Sequence, residues 1–388
     1  MNLIFLMLVF KEEAVRVHDV ASHASNAWLK GLCRALLEKG VSLRTVGHEP
    51  ARVWPLGRHL LPGDPEHLSM GMVQRLVRFL NVPLLRHFFL AAGYRKALCQ
   101  ELGRDGKTTV CTYNPLPWQV SAAQAALQRG ARWISFVLDD DEVARHGWGR
   151  YLEQTKRATG HVFVSQWAYE HAPVSNKLLM EGGVETWRCE GLTLARARQT
   201  QSAVPSVMFA GLLGKSAGIR ELLAMMDALP EQQVEFWICG KGACAELTQR
   251  AAQDQRIKLL GFLSEAELDQ RLQAAWVLVN PRSVTHEGSR MNFPSKLLRY
   301  LSYGKPVVTV WTPGILDEYR EVLQVVDPKV CGSEPSAIGQ AMARQVEGVL
   351  QWDAARLLAW QEKVHAFIVP GKLWESQVKR LVEFLTPR

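Results

Sequence analysis

The chain has 388 residues, 47% hydrophobic and 22% charged, with a formal net charge of +8. That length exceeds what one core sustains, and the composition excludes a disordered or fibrous chain, so two globular domains of ordinary size are expected. Seven scattered cysteines (33, 99, 111, 189, 239, 244 and 331) show no zinc spacing; they exclude a disulfide scaffold and fit a reduced, cytoplasmic compartment.

In chain order, residues 2–10 are apolar but lack a basic leading region and a cleavage site. They are too short to span a bilayer and read as a buried first strand. Further strand-like runs at 43–46, 109–113, 133–138 and 161–165 are separated by helical patterns such as 28–38, the rhythm of parallel strands with crossover helices. A polar stretch near 194–205 reads as a linker. The rhythm then restarts with strands at 207–210, 235–239, 257–260, 276–279 and 307–310, and ends in an amphipathic helix at 373–385.

The first half carries the charge: residues 1–200 hold 25 Lys and Arg against 18 Asp and Glu. Between 51 and 100, Arg52, Arg58, Arg75, Arg78, Arg86, Arg95 and Lys96 face only Asp64 and Glu66, interleaved with Phe79, Leu80, Leu84, Leu85, Phe88, Phe89 and Leu90. One reading makes residues 52–96 a platform for an anionic membrane surface or a lipid diphosphate, placing the chain peripherally at the inner face of the cytoplasmic membrane. The other is a pair of amphipathic helices, broken at Pro83, packing on the sheet. No nucleic-acid motif accompanies the charge, so no nucleic-acid partner is expected.

Strand-to-helix turns are where a doubly wound sheet binds ligands. In the first half, Ser25 and Asn26 either cap the following helix or contact a ligand, and His23 could serve as a base or sugar ligand. Tyr113 and Asn114 follow a strand, although Asn-Pro is also plain turn chemistry. Asp139 opens a run of four acids at a strand end. Consecutive acids point apart, which favours a loop or helix start over a metal site. In the second half, Gly211 to Gly218 includes Lys215, Gly240 precedes Lys241 and Gly242, and Asn280-Pro281 precedes Arg282. Each lets backbone or a cation approach a phosphate. Residues 292–306 form a short helix, with Pro294 at its start and Gly304 at its end, that sends Leu297, Leu298 and Leu301 inward and Ser295, Lys296 and Arg299 to the other face. Its first turn reads as an anion seat.

These residues resemble the group 1, family-4-like GT-B glycosyltransferases of bacterial exopolysaccharide and surface-polysaccharide assembly. The resemblance is carried by Val207 to Gly211, Phe236 to Gly242, Leu259 to Leu263, Asn280-Pro281-Arg282, Asn292 to Lys296 and Tyr300 to Pro306, and is closest over 205–330. It implies an α/β fold of two Rossmann-like doubly wound domains facing a cleft. An acceptor-binding domain would span 1–198, and a nucleotide-sugar domain 205–370, with a helix at 371–388 crossing back to the first. An NDP-sugar would lie on Gly211, Lys215, Gly240, Lys241, Arg282, Phe293, Pro294, Ser295, Lys296 and Arg299, and a saccharide or lipid-linked acceptor on Ser25, Asn26, Tyr113 and Asn114. No cofactor or bridging metal is implied.

The resemblance also implies retention, the leaving diphosphate taking the acceptor proton while cations stabilise it; inversion would need a base such as Asp139 or His23. Four positions depart from the family. Arg299 stands where a glutamate would hold the ribose, Met291 where another glutamate stands, and Leu212 and Ala217 where a basic pair stands. Glu287 is the nearest carboxylate able to substitute, and Lys215 and Lys296 the nearest cations. An NDP-sugar epimerase of the same fold and a catalytically weakened nucleotide-sugar-binding scaffold stay open as alternatives.

Overall fold

The computed structural model describes residues 1–10, 23–63, 65–67, 71–102, 108–138, 141–189, 204–214, 217–229 and 234–386, without the side chains of 23–24, 65–67, 141–142 and Glu287. Most of the linker expected at 194–205, together with Asp139 and Lys215, lies outside them. The chain divides into two compact units, Met1–Gly183 with Trp374–Arg388, and Val184–Leu373.

The first unit contains β1 (Asn2–Leu6), β2 (Ser42–Gly47), β3 (Leu60–Leu61), β4 (Pro65–His67), β5 (Val73–Leu76), β6 (Phe79–Leu80), β7 (Thr108–Tyr113), β8 (Arg132–Val137), β9 (Gly160–Phe163) and β10 (Lys177–Leu179). Eight of them form a sheet in the order β10-β9-β8-β7-β1-β2-β5-β4, parallel except for β4, while β3 and β6 pair antiparallel. Leu3 of β1 sits between Leu43 and Thr109. The central strands are buried nearly throughout, as strands covered on both faces must be. Between 73 and 80 the structure corrects the reading of two helices: Val73–Leu76 and Phe79–Leu80 are strands, and a single helix, Arg86–Glu101, begins after Pro83. The reason lies in Gln74, buried on the strand, whose Oε1 accepts from the backbone of Val9 and ties β5 into the sheet.

The last helix, Trp374–Leu385, belongs to this unit and packs on the helix His23–Glu38. Its Trp374 ring lies 5.6 Å from that of Trp28, edge to face. A Cβ on Gly31 would fall 2.0 Å from the indole nitrogen of Trp374, so a side chain there is excluded.

The second unit holds β11 (Ser206–Ala210), β12 (Glu235–Cys239), β13 (Ile257–Gly261), β14 (Val277–Asn280), β15 (Val307–Val310) and β16 (Gln324–Val326). All are parallel, in the order β13-β12-β11-β14-β15-β16. That is the doubly wound order, reversing direction between β11 and β14. Helix Ile219–Asp227 buries Ile219, Leu222, Met225 and Met226 against this sheet and the helix Pro335–Leu350. The two helices touch at Gly339, where a Cβ would lie 2.4 Å from that of Ala224.

No helix among the described residues is long and apolar enough to cross a membrane.

Candidate functional site

Ligands of a doubly wound sheet collect at the carboxyl ends of the strands, where the strand order reverses. In the second unit three turns meet there. Gly211 follows β11, Gly240 follows β12, and Pro281-Arg282 follows β14. Gly240 has φ 147°, and a Cβ on it would fall 1.6 Å from the carbonyl oxygen of Gly211. Gly218 has φ 78°, and its Cβ would lie 2.4 Å from the carbonyl oxygen of Pro281. Only glycine permits both approaches. The backbone amide of Leu213 donates to the carbonyl of Lys241 at 2.8 Å, joining the first two turns.

Lys296 enters this convergence from the helix Lys296–Ser302. Its Nζ occupies the space beside Gly211, 2.4 Å from where a Cβ would be, and lies 4.3 Å from the centre of the Phe209 ring. The side chain as a whole is half-buried, but its ammonium end is enclosed. Burial, and secondarily the neighbouring Arg282, lower its pKa from 10.5 to about 7, against an opposing influence of Cys239. Burial likewise lowers the pKa of Arg282, whose Nε is buried without a partner. Among the described residues no carboxylate pairs with either cation. Two enclosed cations without a counter-charge among the described residues, beside glycine turns that expose backbone, form a seat for an anion with several oxygens.

Tyr300 holds the seat together. Its buried hydroxyl accepts from the amide of Ala210 at 2.9 Å and donates to the carbonyl of Ala210 at 3.1 Å, fixing the end of β11 to the Lys296 helix. Sequence reasoning missed this role, although Tyr300 lies four residues after Lys296 and therefore on the same helical face. The helix has only seven residues, and Ser295 before it makes no side-chain capping bond. The cations, rather than a long helix dipole, provide the charge.

Other expected donor residues are placed differently. Phe293 and Pro294 are buried, and the Phe293 ring packs 5.2 Å from Tyr319. Phe293 therefore packs into the core beside the seat. Arg299 turns towards the helix Glu265–Ala274, where its Nη2 lies 2.6 Å from Asp269 and 2.9 Å from Glu265. Burial alone would lower its pKa; these carboxylates raise it instead. Asp269 also accepts from Arg188 at 2.8 Å and from the Tyr303 hydroxyl. Arg299 is thus a member of an ion-pair cluster rather than an open second cation. Lys241 is exposed. Glu287 opens a short 3-10 turn, Glu287–Arg290, with its side chain outside the described residues.

In the first unit, His23 begins the helix His23–Glu38, so Ser25 and Asn26 lie within its first turn rather than capping it. The Asn26 side chain bonds to Phe10, accepting from its amide at 2.8 Å and donating to its carbonyl at 3.1 Å. Asn114 adopts φ 41° and accepts from the amide of Leu138 at 2.8 Å, joining the ends of β7 and β8; Tyr113 beside it is half-buried. Sequence reasoning also missed His48, at the end of β2. Its Nδ1 lies 2.8 Å from the hydroxyl of Tyr94, and burial with Arg86 lowers its pKa to about 4, leaving it neutral at pH 7. Among the described residues no group of three or more His, Cys, Asp and Glu is arranged to hold a metal ion.

Residues 204–351 match the family described as "Glycosyl transferases group 1". No curated protein matches the sequence. Solved structures resemble the fold along nearly the whole chain. Sucrose-phosphate synthase from Thermosynechococcus elongatus is 16% identical, with a TM-score of 0.67 over 99% of this chain and 98% of its own. HepE from Anabaena, in complex with UDP and glucose, is 14% identical, with a TM-score of 0.65 over 99% of both chains. The UDP-forming α,α-trehalose-phosphate synthase from Burkholderia xenovorans, in complex with glucose-6-phosphate, is 12% identical, with a TM-score of 0.63 over 99% of both. The fold is GT-B, and residues 204–351 are similar to the group 1 glycosyl transferases.

Proposed function

We propose that this protein is a glycosyltransferase that moves a sugar from an NDP-sugar to a hydroxyl acceptor, a lipid-linked or polysaccharide intermediate, with retention of anomeric configuration. The observation that carries this is the pair Lys296 and Arg282, enclosed and without a counter-charge among the described residues, at the glycine turns of the segment that matches the group 1 family. Solved proteins of similar fold hold UDP with glucose, or are named as UDP-forming.

In the proposed reaction the bond between the sugar C1 and the diphosphate oxygen breaks as the acceptor oxygen bonds to C1. The acceptor proton passes to an oxygen of the leaving diphosphate on the same face. Negative charge grows on the diphosphate, and Lys296 and Arg282 stabilise it in an enclosed site where such interactions are strong. The donor is a substrate, and no cofactor enters the scheme.

A thermal-shift series over UDP, GDP and CMP and their sugars, followed by turnover with and without acceptor, tests the reading. At least one nucleoside diphosphate should raise Tm, and NDP release should require an acceptor hydroxyl and yield the donor's anomeric configuration. Conversion of the NDP-sugar without acceptor would make the protein an epimerase, nucleotide binding without turnover a scaffold, and absence of any nucleotide-induced shift would remove the proposal.

A further inference from the structure

Six large apolar side chains of the first unit stand in solvent within two short segments: Val53 (36% exposed), Trp54 (49%) and Leu56 (79%), then Leu84 (95%), Leu85 (51%) and Phe88 (66%). Single exposed apolar residues are ordinary, but a group of six on neighbouring segments marks a contact surface. The two segments are joined through Asn81. Its side-chain amide donates to the carbonyls of Arg52 at 2.7 Å and Arg58 at 2.9 Å, and its backbone carbonyl accepts from the amide of Trp54 at 3.1 Å. Arg86 adds a bond to the carbonyl of Ala51 at 3.2 Å. The tip is strained as well as apolar: Leu84 adopts φ 66°, a left-handed conformation that leucine disfavours, and its side chain projects almost wholly into water.

The sequence of these segments is rich in arginine. Between Glu66 and Glu101 the sequence contains no Asp or Glu. Arg52, Arg58 and Arg78 are exposed, and among the described residues no carboxylate pairs with them. On the helix Arg86–Glu101, Phe88 is followed about two turns further on by Arg95 and Lys96, which line a surface groove with Arg129.

We propose that residues 52–58 and 84–88 dock on an anionic phospholipid bilayer, with Trp54, Leu56, Leu84, Leu85 and Phe88 entering the headgroup and acyl boundary and the surrounding arginines meeting lipid phosphates. The apolar groups project at segment ends, as insertion requires. A second copy of this chain would bring like-charged arginines together, whereas an anionic lipid surface neutralises them. The attachment is peripheral and independent of the glycosyltransferase reading, because it uses no residue of the nucleotide seat.

Sedimentation of the full chain with vesicles of phosphatidylcholine alone, or of equal parts phosphatidylcholine and phosphatidylglycerol, tests this. The chain should pellet with the mixed vesicles and much less with the neutral ones, and added salt should release it. Leu84→Ser with Phe88→Ser should weaken partitioning about tenfold per side chain, and Arg52→Ala with Arg58→Ala about fivefold per arginine. Unchanged melting and nucleotide binding would show that both variants remain folded; if the apolar pair does not fold, the salt release and the arginine pair still decide. Failure of the wild type to pellet with mixed vesicles, insensitivity to salt, or unaltered binding by the apolar variant overturns the proposal. So does a dimer in solution that Leu84→Ser dissociates while vesicle binding is retained, because the surface would then belong to a second copy.

Discussion

Lys296 is held near neutrality by its surroundings, so its charge should respond to whatever occupies the seat. An anion favours the protonated form. Binding of a nucleoside diphosphate above pH 7 should therefore take up a proton, and affinity should fall as pH rises above about 7. Titration calorimetry in buffers of different ionisation enthalpy measures this uptake, which should vanish in Lys296→Met together with roughly tenfold or more of the affinity. Arg299 calls for a different expectation. Because its guanidinium serves Asp269 and Glu265, Arg299→Glu would place a third carboxylate beside them and should cost about 1–3 kcal/mol in urea unfolding, with nucleotide selectivity unchanged. Altered selectivity would show instead that position 299 reaches the ribose. The pairing of Lys296 with Arg282 is legible in the sequence, since Arg282 stands in a turn after a strand and Lys296 at the start of a helix. The orientation of Arg299 is not, because Asp269 lies thirty residues away and no local pattern announces that pairing. The packing of Phe293 on Tyr319 is not legible for a related reason, because the partner is 26 residues away.

Among the elements, the turns carry the site, and their glycines are its most exacting part. Gly240→Ala would drive a methyl group into the carbonyl of Gly211, in a backbone conformation that alanine avoids. The expected outcome is a loss of more than about 3 kcal/mol of stability, or of nucleotide binding with a displaced turn, measured by urea unfolding and thermal shift. Strands such as β12 and β15 are legible because short apolar runs rich in β-branched and aromatic residues, closed by Gly or Pro, suit a buried parallel strand better than a helix. Both begin and end where the sequence places them. β10 and β16 have three residues each, too short for any periodicity to register. In residues 73–80 the apolar spacing serves helix and strand alike; the decision is made by Gln74 bonding to Val9, a partner 65 residues away.

At the scale of the molecule, each unit has its own core, and their titratable groups differ in kind. His48 and His161 both lie in the first unit and are kept neutral by burial, with pKa values lowered to about 4. The unfolded chain binds these protons first, so the first unit should lose stability as pH falls from about 6.5 towards 4. A nucleotide seated by Lys296 and Arg282 should raise the melting of the second unit. Calorimetry at pH 7 and pH 5, with and without nucleoside diphosphate, should therefore move two different transitions, and a single transition responding equally to both would contradict this. The first unit is also discontinuous in sequence. The chain leaves it after Gly183 and returns at Trp374, and the two crossings run side by side, with Val184 paired parallel to Leu373. Because Trp374 covers Trp28 and Gly31, the ribosome completes every residue of the second unit before it makes the piece that closes the first. The N-terminal half, although synthesised earliest, is the last to be finished.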